Sequence, residues 1–290
     1  MTPTGRARLV MVAHTFVSAG TYLMAAGALA TLDGLELAWL RFLGAGLLFF
    51  VLLRLTGRPL LPPPEVRGWA VGLALVGLPL NQGFFLSGLK RSTPTHAAIL
   101  YALTPACVLL GGHWFLGERI SRRKAAGVAI AFCGVLVVML ERGLDLRAEA
   151  LYGDLLLLLG VVAWAVFTVW GRPLVHRFGA LTTSGWVHIL GAASCLLFGP
   201  FLVRPLGQLS QVGGWAWAGL LYLIVGTSFV AYLLWTFALK RLPSASVAVF
   251  TNFQPVATAL LTWLFLGRPV SPGEILGGVL VIAGITTLQT

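Results

Sequence analysis

The sequence predicts an all-α integral membrane protein with ten transmembrane helices, arranged as two inverted five-helix repeats. Three observations support this fold class: an apolar composition, ten apolar runs of membrane-crossing length, and an internal repeat. Of the 290 residues, 58% are hydrophobic and 10% are charged. Because about a quarter of the residues of a soluble domain are charged, this composition argues against an ordinary soluble enzyme.

Ten runs are long enough to cross a bilayer, since a transmembrane helix needs about 20 mainly apolar residues. They cover 9–30, 35–56, 67–88, 94–117, 122–140, 151–171, 180–203, 213–238, 243–266 and 272–289. Short turns rich in Gly, Pro and Arg separate them. The runs lack the alternating pattern of membrane strands, and a helix satisfies its own backbone groups in lipid. We therefore expect helices throughout.

The first run also resembles a secretory signal, because Arg6 and Arg8 precede it and Ala28-Leu29-Ala30 is similar to a cleavage site. Its 22 residues are long for a signal, and the internal repeat needs a first helix to match the sixth. We therefore expect this helix to be retained in the mature protein.

The distribution of positive charge predicts the orientation in the membrane. If the amino terminus is cytoplasmic, 13 of the 20 Lys and Arg residues lie in inside segments and six in outside loops. The sequence therefore predicts cytoplasmic amino and carboxyl termini. The net charge of +11 then belongs to an inner face that contacts anionic lipid, and we expect no nucleic-acid partner.

An internal repeat appears when the sequence is shifted by 150 residues. Segments 87–140 and 237–290 share 12 identities in 54 positions without a gap. The matches include 89–91 with 239–241, 105 with 255, 115–117 with 265–267, 127 with 277, and 134 with 284. Each half has five runs, so the second half must enter the membrane inverted, as in many secondary transporters. We predict repeats at 1–143 and 150–290.

These features together resemble the EamA-type transporters of the drug/metabolite transporter superfamily. The resemblance rests on the five-plus-five layout and on the Trp-Leu-Arg-Phe-Leu-Gly-Ala run at 39–45. It rests also on the spans that begin near Pro94 and Pro243, carry Pro105 and Pro255, and end in Phe-Leu-Gly. The resemblance covers nearly the whole chain and implies a bacterial inner-membrane exporter of small metabolites, often amino acids.

The second repeat departs from this family pattern at the end of its fourth span. Arg268-Pro269 stands where the first repeat has Glu118-Arg119. Any role of Glu118 is therefore not a symmetric feature of the two repeats.

Two prolines are candidate gating residues. Pro105 and Pro255 each lie about 11 residues into their spans, roughly 16 Å deep and close to the middle of the bilayer. A proline within a helix frees the carbonyl four residues earlier, here that of Tyr101 or Thr251. Such bends are expected to face protein or a watered cavity. We predict gating bends, with a static packing kink as the alternative.

Polar and aromatic side chains near these bends are the candidate substrate-binding residues: His14, Asn81, Gln82, Tyr101, Trp164, Thr168, Tyr232, Asn252 and Gln254. Each one alone is as well explained by hydrogen bonding between helices. As a set they predict a mid-membrane cavity, because the resemblance places spans 1, 3, 4, 6, 8 and 9 around the pathway. No Asp or Glu lies deep in a span, so a neutral or zwitterionic solute is favoured over a cation exchanged against a buried acid.

Arg41 is the one Lys or Arg residue that lies within a predicted span away from its predicted cytoplasmic end. Its planar guanidinium could hold a substrate carboxylate. It lies only about six residues from the outer end of its span, close enough to reach the headgroups or to pair with Glu36. We expect the second role, structural anchoring.

The sequence therefore predicts a secondary transporter that exports amino acids or related neutral, zwitterionic or aromatic solutes by alternating access. The Gly-x4-Gly-Lys-Ser/Thr nucleotide loop is missing, so the expected energy source is a gradient. The alternatives are a channel or facilitator and an intramembrane enzyme; Gly-x-Ser-x-Gly is also missing. We expect no cofactor and no metal.

Glycine pairs leave the oligomeric state open between monomer and homodimer. Gly68 and Gly72, and Gly273 and Gly277, are four residues apart. That spacing lets a helix approach either another span or a second copy of the chain.

Overall fold

A computed structural model describes residues 2–29, 31–32, 34–89, 91–92, 100–141, 148–198, 213–267 and 269–289. All regular structure in these ranges is helical, without strands, which confirms the all-α prediction. Parts of the predicted fourth and seventh spans, 94–99 and 199–203, lie outside the described residues, as do most of the predicted boundary at 143–150 and Arg268.

The described residues form thirteen α-helices, several of which follow one another as parts of one longer rod. They are α1 (Pro3–Leu29), α2 (Gly34–Leu55), α3 (Pro64–Leu75), α4 (Asn81–Leu89), α5 (Thr104–Leu116), α6 (Arg122–Glu141), α7 (Ala148–Phe178), α8 (Ala180–Phe198), α9 (Gly214–Tyr222), α10 (Tyr232–Leu239), α11 (Ser244–Ala248), α12 (Gln254–Leu266) and α13 (Pro272–Gln289). A π-helical segment joins α3 to α4 (Val76–Leu80) and another joins α9 to α10 (Leu223–Ala231), while a 3₁₀ segment joins α11 to α12 (Val249–Phe253).

Five of the helical rods are long and apolar enough to cross a membrane. They are Glu36–Leu55, Pro64–Gly88, Leu151–Phe178, Gly214–Leu239 and Ser244–Phe265, and Pro272–Leu288 is a shorter apolar helix. Large apolar side chains are exposed on the outer surface of the bundle, among them Leu47, Trp114 and Phe265. An apolar exterior of this kind suits lipid rather than water.

Local sequence explains several breaks and ends of these rods. Pro79 lies inside the first π-helical segment, where its missing N–H and its ring exclude ordinary α-helical bonding. The two aligned Phe-Leu-Gly runs end α5 and α12 in the same way, because Gly117 and Gly267 adopt left-handed φ values of 67° and 64°. A left-handed residue at this position is favourable for glycine and costly for other residues.

Small residues let α6 and α13 pack at close range. A Cβ added at Gly127 would lie 2.7 Å from the Gly284 carbonyl oxygen, and one added at Gly134 would lie 2.6 Å from the Gly277 carbonyl oxygen. Helix backbones approach this closely only where side chains are absent. Gly277 therefore packs within the chain, whereas no atom lies within 4 Å of a Cβ added at Gly68.

The remaining helices surround a shared interior. α1 packs against α9, the second π-helical segment, α10 and α12, while α7 packs against α4 and α5. α2 lies against α8 and the second π-helical segment. Side chains of α1, α2, α7, α8 and α10 consequently meet in the middle of the bundle.

Candidate functional site

Trp164 of α7 lies at the centre of a group of aromatic rings. Its ring centroid is 5.1 Å from that of Phe167, 5.6 Å from that of Tyr232 and 5.4 Å from that of Trp235. His14 of α1 adds a further ring, 5.2 Å from Trp235. Three of the predicted site residues, His14, Trp164 and Tyr232, are thus brought together from α1, α7 and α10.

The rings continue across the bundle towards α2 and α8. The His188 ring lies 4.6 Å from Tyr232 and 4.6 Å from Phe49, which in turn lies 4.6 Å from Phe229. We refer to these eight residues as the ring cluster: His14, Phe49, Trp164, Phe167, His188, Phe229, Tyr232 and Trp235. Phe49, Phe167 and Phe229 were not predicted, because apolar spans give no sequence signal for which face points inward.

Several buried polar atoms of the ring cluster have no hydrogen-bond partner among the described residues. They are His14 Nδ1, His188 Nε2 and Trp235 Nε1. His14 Nε2 lies 3.4 Å from Ser18 Oγ, and His188 Nδ1 lies 2.9 Å from the Ser184 carbonyl oxygen. Because a carbonyl oxygen can only accept, His188 Nδ1 carries the proton and Nε2 is a free acceptor.

Asn252 has the same property to a greater degree. It lies in the 3₁₀ segment and is only 1% exposed. Neither its amide nitrogen nor its amide oxygen has a hydrogen-bond partner in the described part of the chain. A buried polar group without a partner costs about 1–3 kcal/mol, so this arrangement is expected where a ligand supplies the missing bonds.

A second polar group, the amide network, consists of Asn81, Gln82, Tyr101 and Gly160. Asn81 Nδ2 donates to the Gly160 carbonyl oxygen at 2.8 Å and to Tyr101 Oη at 3.3 Å. Gln82 Nε2 donates to Asn81 Oδ1 at 2.9 Å. The structure thus brings three more predicted site residues together, but here Asn81 has partners at both ends of its amide.

One face of α7 connects the amide network to the ring cluster. Gly160, Trp164 and Thr168 follow at four-residue spacing and therefore lie on one side of the helix. A Cβ at Gly160 would lie 2.8 Å from Tyr101 Oη, so glycine leaves the space that the phenol fills. The hydroxyl of Thr168 donates to the Trp164 carbonyl oxygen of its own helix at 2.9 Å and does not contribute to either group.

The two candidate gating prolines differ in local structure from the predicted mid-helix bends. Pro105 lies in the first turn of α5 and Pro255 in the first turn of α12, each after a non-α-helical stretch. The first turn accommodates proline without losing a helical hydrogen bond. The Tyr101 carbonyl oxygen accepts from Thr104 Oγ1 at 2.6 Å, and the Thr251 carbonyl oxygen accepts from the N–H of Gln254, so neither carbonyl is free.

Arg41 forms a hydrogen bond with a residue of another helical segment. Its Nε donates to Ser228 Oγ at 2.6 Å, across the interface between α2 and the second π-helical segment. Glu36 precedes Arg41 by five residues, which places the two side chains about 140° apart around a helix with 3.6 residues per turn. The five-residue spacing therefore disfavours the pair with Glu36, while anchoring at the headgroups stays a prediction.

Glu118 forms a polar contact between the two halves at the end of α5. Its Oε1 accepts from Arg172 Nη1 of α7 and from the hydroxyl of Ser244 of α11 at 2.9 Å. The side chain is 8% exposed. The sequence prediction that Glu118 lacks a symmetric counterpart is compatible with this contact, which joins one residue of the first half to two of the second.

Two spaces of very different size lie among the described residues. A cavity of about 10 Å³ beside Phe167, Tyr232 and Thr236 has room for about one water molecule. A cavity of about 380 Å³ lies at the end of the bundle where α1 and α6 begin, lined in part by Arg8, Lys124 and Arg241. Of these two spaces, the larger is lined in part by basic side chains, and the mid-membrane cavity stays a prediction.

Comparison with known proteins gives a consistent result. A model of the EamA-like transporter family matches residues 6–140 and again residues 151–289. The chain is 27% identical over 255 residues to the uncharacterized transporter YyaM of Bacillus subtilis, covering 86% of this chain and 82% of that protein. It is 28% identical over 283 residues to an uncharacterized transporter of Archaeoglobus fulgidus, covering 97% and 96%. A crystal structure of a protein 21% identical to this chain has the same fold, with a TM-score of 0.84 over 98% of this chain and 96% of the other.

Proposed function

Because the chain belongs to the EamA-like transporter family, we propose that it is a secondary transporter that exports small metabolites. Its expected solutes are amino acids and related neutral or zwitterionic compounds, including aromatic ones. The observation that carries the proposal is a set of buried polar atoms without hydrogen-bond partners among the described residues. They are His14 Nδ1, His188 Nε2 and Trp235 Nε1 of the ring cluster and both amide atoms of Asn252, whose 3₁₀ segment packs against α1.

These atoms suit a transient ligand better than a permanent packing role. A permanent protein contact would remove the cost of burying them, about 1–3 kcal/mol each. A solute with a few polar groups and an apolar part would supply the missing hydrogen bonds, while the rings of Trp164 and Tyr232 cover its apolar part. His14 belongs to the first half and Trp164 to the second, so the solute would lie between the halves.

The proposal includes ten spans in two inverted repeats, 1–143 and 150–290, and two features support it. The family model matches the two halves separately. In the packing of α6 on α13, Gly127 approaches Gly284 and Gly134 approaches Gly277, while the aligned pairs are 127 with 277 and 134 with 284. Each of the two α6 glycines thus approaches the α13 glycine that is equivalent to the other α6 glycine. Reciprocal contacts of this kind are expected across a two-fold axis, and a two-fold axis in the membrane plane inverts one repeat.

Alternating access would require the interior to open on each side in turn. The contact of Glu118 with Arg172 and Ser244 would hold one end of the bundle shut. The first turns at Pro105 and Pro255 follow non-α-helical stretches, which are natural positions for a change of helix direction. We therefore keep both prolines as gating residues in the proposal.

The orientation follows from the charge distribution. The basic cavity of about 380 Å³ would face the cytoplasm of a bacterial cell, with both termini on the same side. Reporter fusions at residues 1, 145 and 290 test this: the termini are expected inside and residue 145 outside. A cytoplasmic residue 145 would contradict the inverted arrangement.

Transport is tested in proteoliposomes loaded with a panel of amino acids and their neutral derivatives. We expect saturable, gradient-dependent efflux of at least one solute, abolished when Asn252→Leu replaces the wild-type protein. Absence of any movement across the panel would contradict the proposal. Conductance measurements on planar bilayers distinguish the alternative of a channel, because a carrier gives no unitary currents.

A further inference from the structure

Arg41 is a cation placed inside the bundle beside the ring cluster. It lies on α2, which packs against α8 and the second π-helical segment. Its Nε donates to Ser228 Oγ at 2.6 Å, and its guanidinium carbon lies 5.0 Å from the centroid of the Phe42 ring. Its partner Ser228 directly precedes Phe229, a residue of the ring cluster.

This guanidinium has no counter-charge within the part of the chain that the structure describes. The ion pair found there joins Arg172 to Glu118, and the hydrogen-bond acceptor of Arg41 is the neutral hydroxyl of Ser228. A guanidinium carries five N–H donors, so its two terminal nitrogens are left for another group. They form a planar fork whose geometry matches a carboxylate.

A partly buried cation without an opposite charge has a desolvation cost, which an opposite charge or strong hydrogen bonds would offset. In the ring cluster, the His188 ring packs on that of Tyr232, and His188 Nε2 is buried without a hydrogen-bond partner among the described residues. The neighbourhood therefore offers a site for a negative group and, beside it, a site for a hydrogen-bond donor.

From this arrangement we infer that the transported solute carries a carboxylate and that Arg41 binds it. The inference rests on the proposed function and narrows its substrate class from neutral or zwitterionic metabolites to carboxylate-bearing ones. Ser228 holds the guanidinium by Nε and leaves the fork free. His188 accepts a donor from the same solute, such as the ammonium group of an α-amino acid.

The test is calorimetric titration of the detergent-solubilised protein with matched pairs of probes. Each of the twenty amino acids, together with benzoate and phenylacetate, is compared with its carboxamide, in which the negative charge of the carboxylate is absent. For the wild type we expect at least one acid to bind about tenfold more tightly or better than its amide. Arg41→Gln is expected to remove this preference and to leave the affinity for the amide unchanged, whereas Arg41→Lys retains part of it.

Arg54→Gln is the matched control, since it removes an exposed positive charge from the other end of the same helix. We expect it to preserve the preference for the acid. If Arg41→Gln weakened the binding of acid and amide equally, Arg41 would have a structural role and the inference would be overturned. If Arg41→Gln fails to fold, the titrations of the wild type still test the inference. The inference is overturned if the wild type binds no acid more tightly than the corresponding amide. Efflux of carboxamides as rapid as that of acids would overturn the inference and leave the proposed transport intact.

Discussion

The amide network and the ring cluster are both polar, both buried and both in contact with one face of α7, yet their hydrogen bonding differs. In the amide network, Asn81 donates to Gly160 and Tyr101 and accepts from Gln82. In the 3₁₀ segment that packs against α1, Asn252 is equally buried and neither of its amide atoms has a partner among the described residues. Native proteins pair nearly all their buried polar atoms. We therefore interpret Asn81 as a helix-packing residue and Asn252 as a candidate ligand-binding residue.

The largest effect is expected from Asn252→Leu. The substitution removes two buried polar atoms that lack partners, so the free energy of unfolding should stay constant or rise by about 1 kcal/mol. The initial rate of efflux from proteoliposomes, per folded protein, should fall at least 100-fold. Efflux at the wild-type rate would show that Asn252 does not bind the solute, and that its role does not differ from that of Asn81.

The next largest effect is expected from Gly160→Ala, which adds a methyl group where the Tyr101 phenol lies 2.8 Å away. Overpacking of this kind costs about 1–3 kcal/mol, and the thermal unfolding temperature in detergent should fall accordingly. Gly68→Ala is the matched control, because no atom lies within 4 Å of its added Cβ. Equal unfolding temperatures for the two variants would show that Tyr101 is not packed tightly against α7.

A smaller effect is expected from Asn81→Leu, which mirrors the Asn252 substitution in the amide network. It removes the donor to the Gly160 carbonyl oxygen, and such a bond contributes about 0.5–1.5 kcal/mol. Stability should fall by that amount, while efflux per folded protein should stay within a few-fold of the wild type. A 100-fold loss of efflux at unchanged stability would instead place Asn81 in the solute site, as the sequence alone suggested.

The smallest effect is expected from Thr168→Val, since the Thr168 hydroxyl is bonded to the Trp164 carbonyl oxygen of its own helix. Backbone bonds of this type add little to stability. We expect a change below about 1 kcal/mol in unfolding free energy and an efflux rate within twofold of the wild type. A large loss of efflux would mean that the hydroxyl rotates towards the solute during transport.

The sequence predicted the helical character of the chain well, because the length of an apolar run and its Gly and Pro turns are local properties. It also predicted that His14, Trp164 and Tyr232 belong to one site, since helical spacing and the family resemblance placed them on pathway-facing spans. The spacing argument found no reason to separate Asn81 from Asn252. Their difference depends on Tyr101 and Gly160, which reach Asn81 only in the folded bundle.

Two other differences have identifiable causes. Proline is common in the first turn of a helix, where each of the two prolines lies. The sequence does not mark the non-α-helical stretch before such a turn, for example Val249–Phe253, so it did not distinguish this position from a mid-helix bend. The contact of Arg41 with Ser228 joins residues 187 positions apart. Only tertiary packing decides such a contact, although the five-residue spacing from Glu36 already disfavoured the expected ion pair.

The most direct measurement is a crystal structure of the protein with a transported amino acid bound. The account predicts electron density for the solute between the halves, with its polar atoms within hydrogen-bond distance of Asn252 and its apolar part against the ring of Trp164. Density for the solute within the amide network, with Asn252 still unpaired and the ring cluster unchanged, would contradict it.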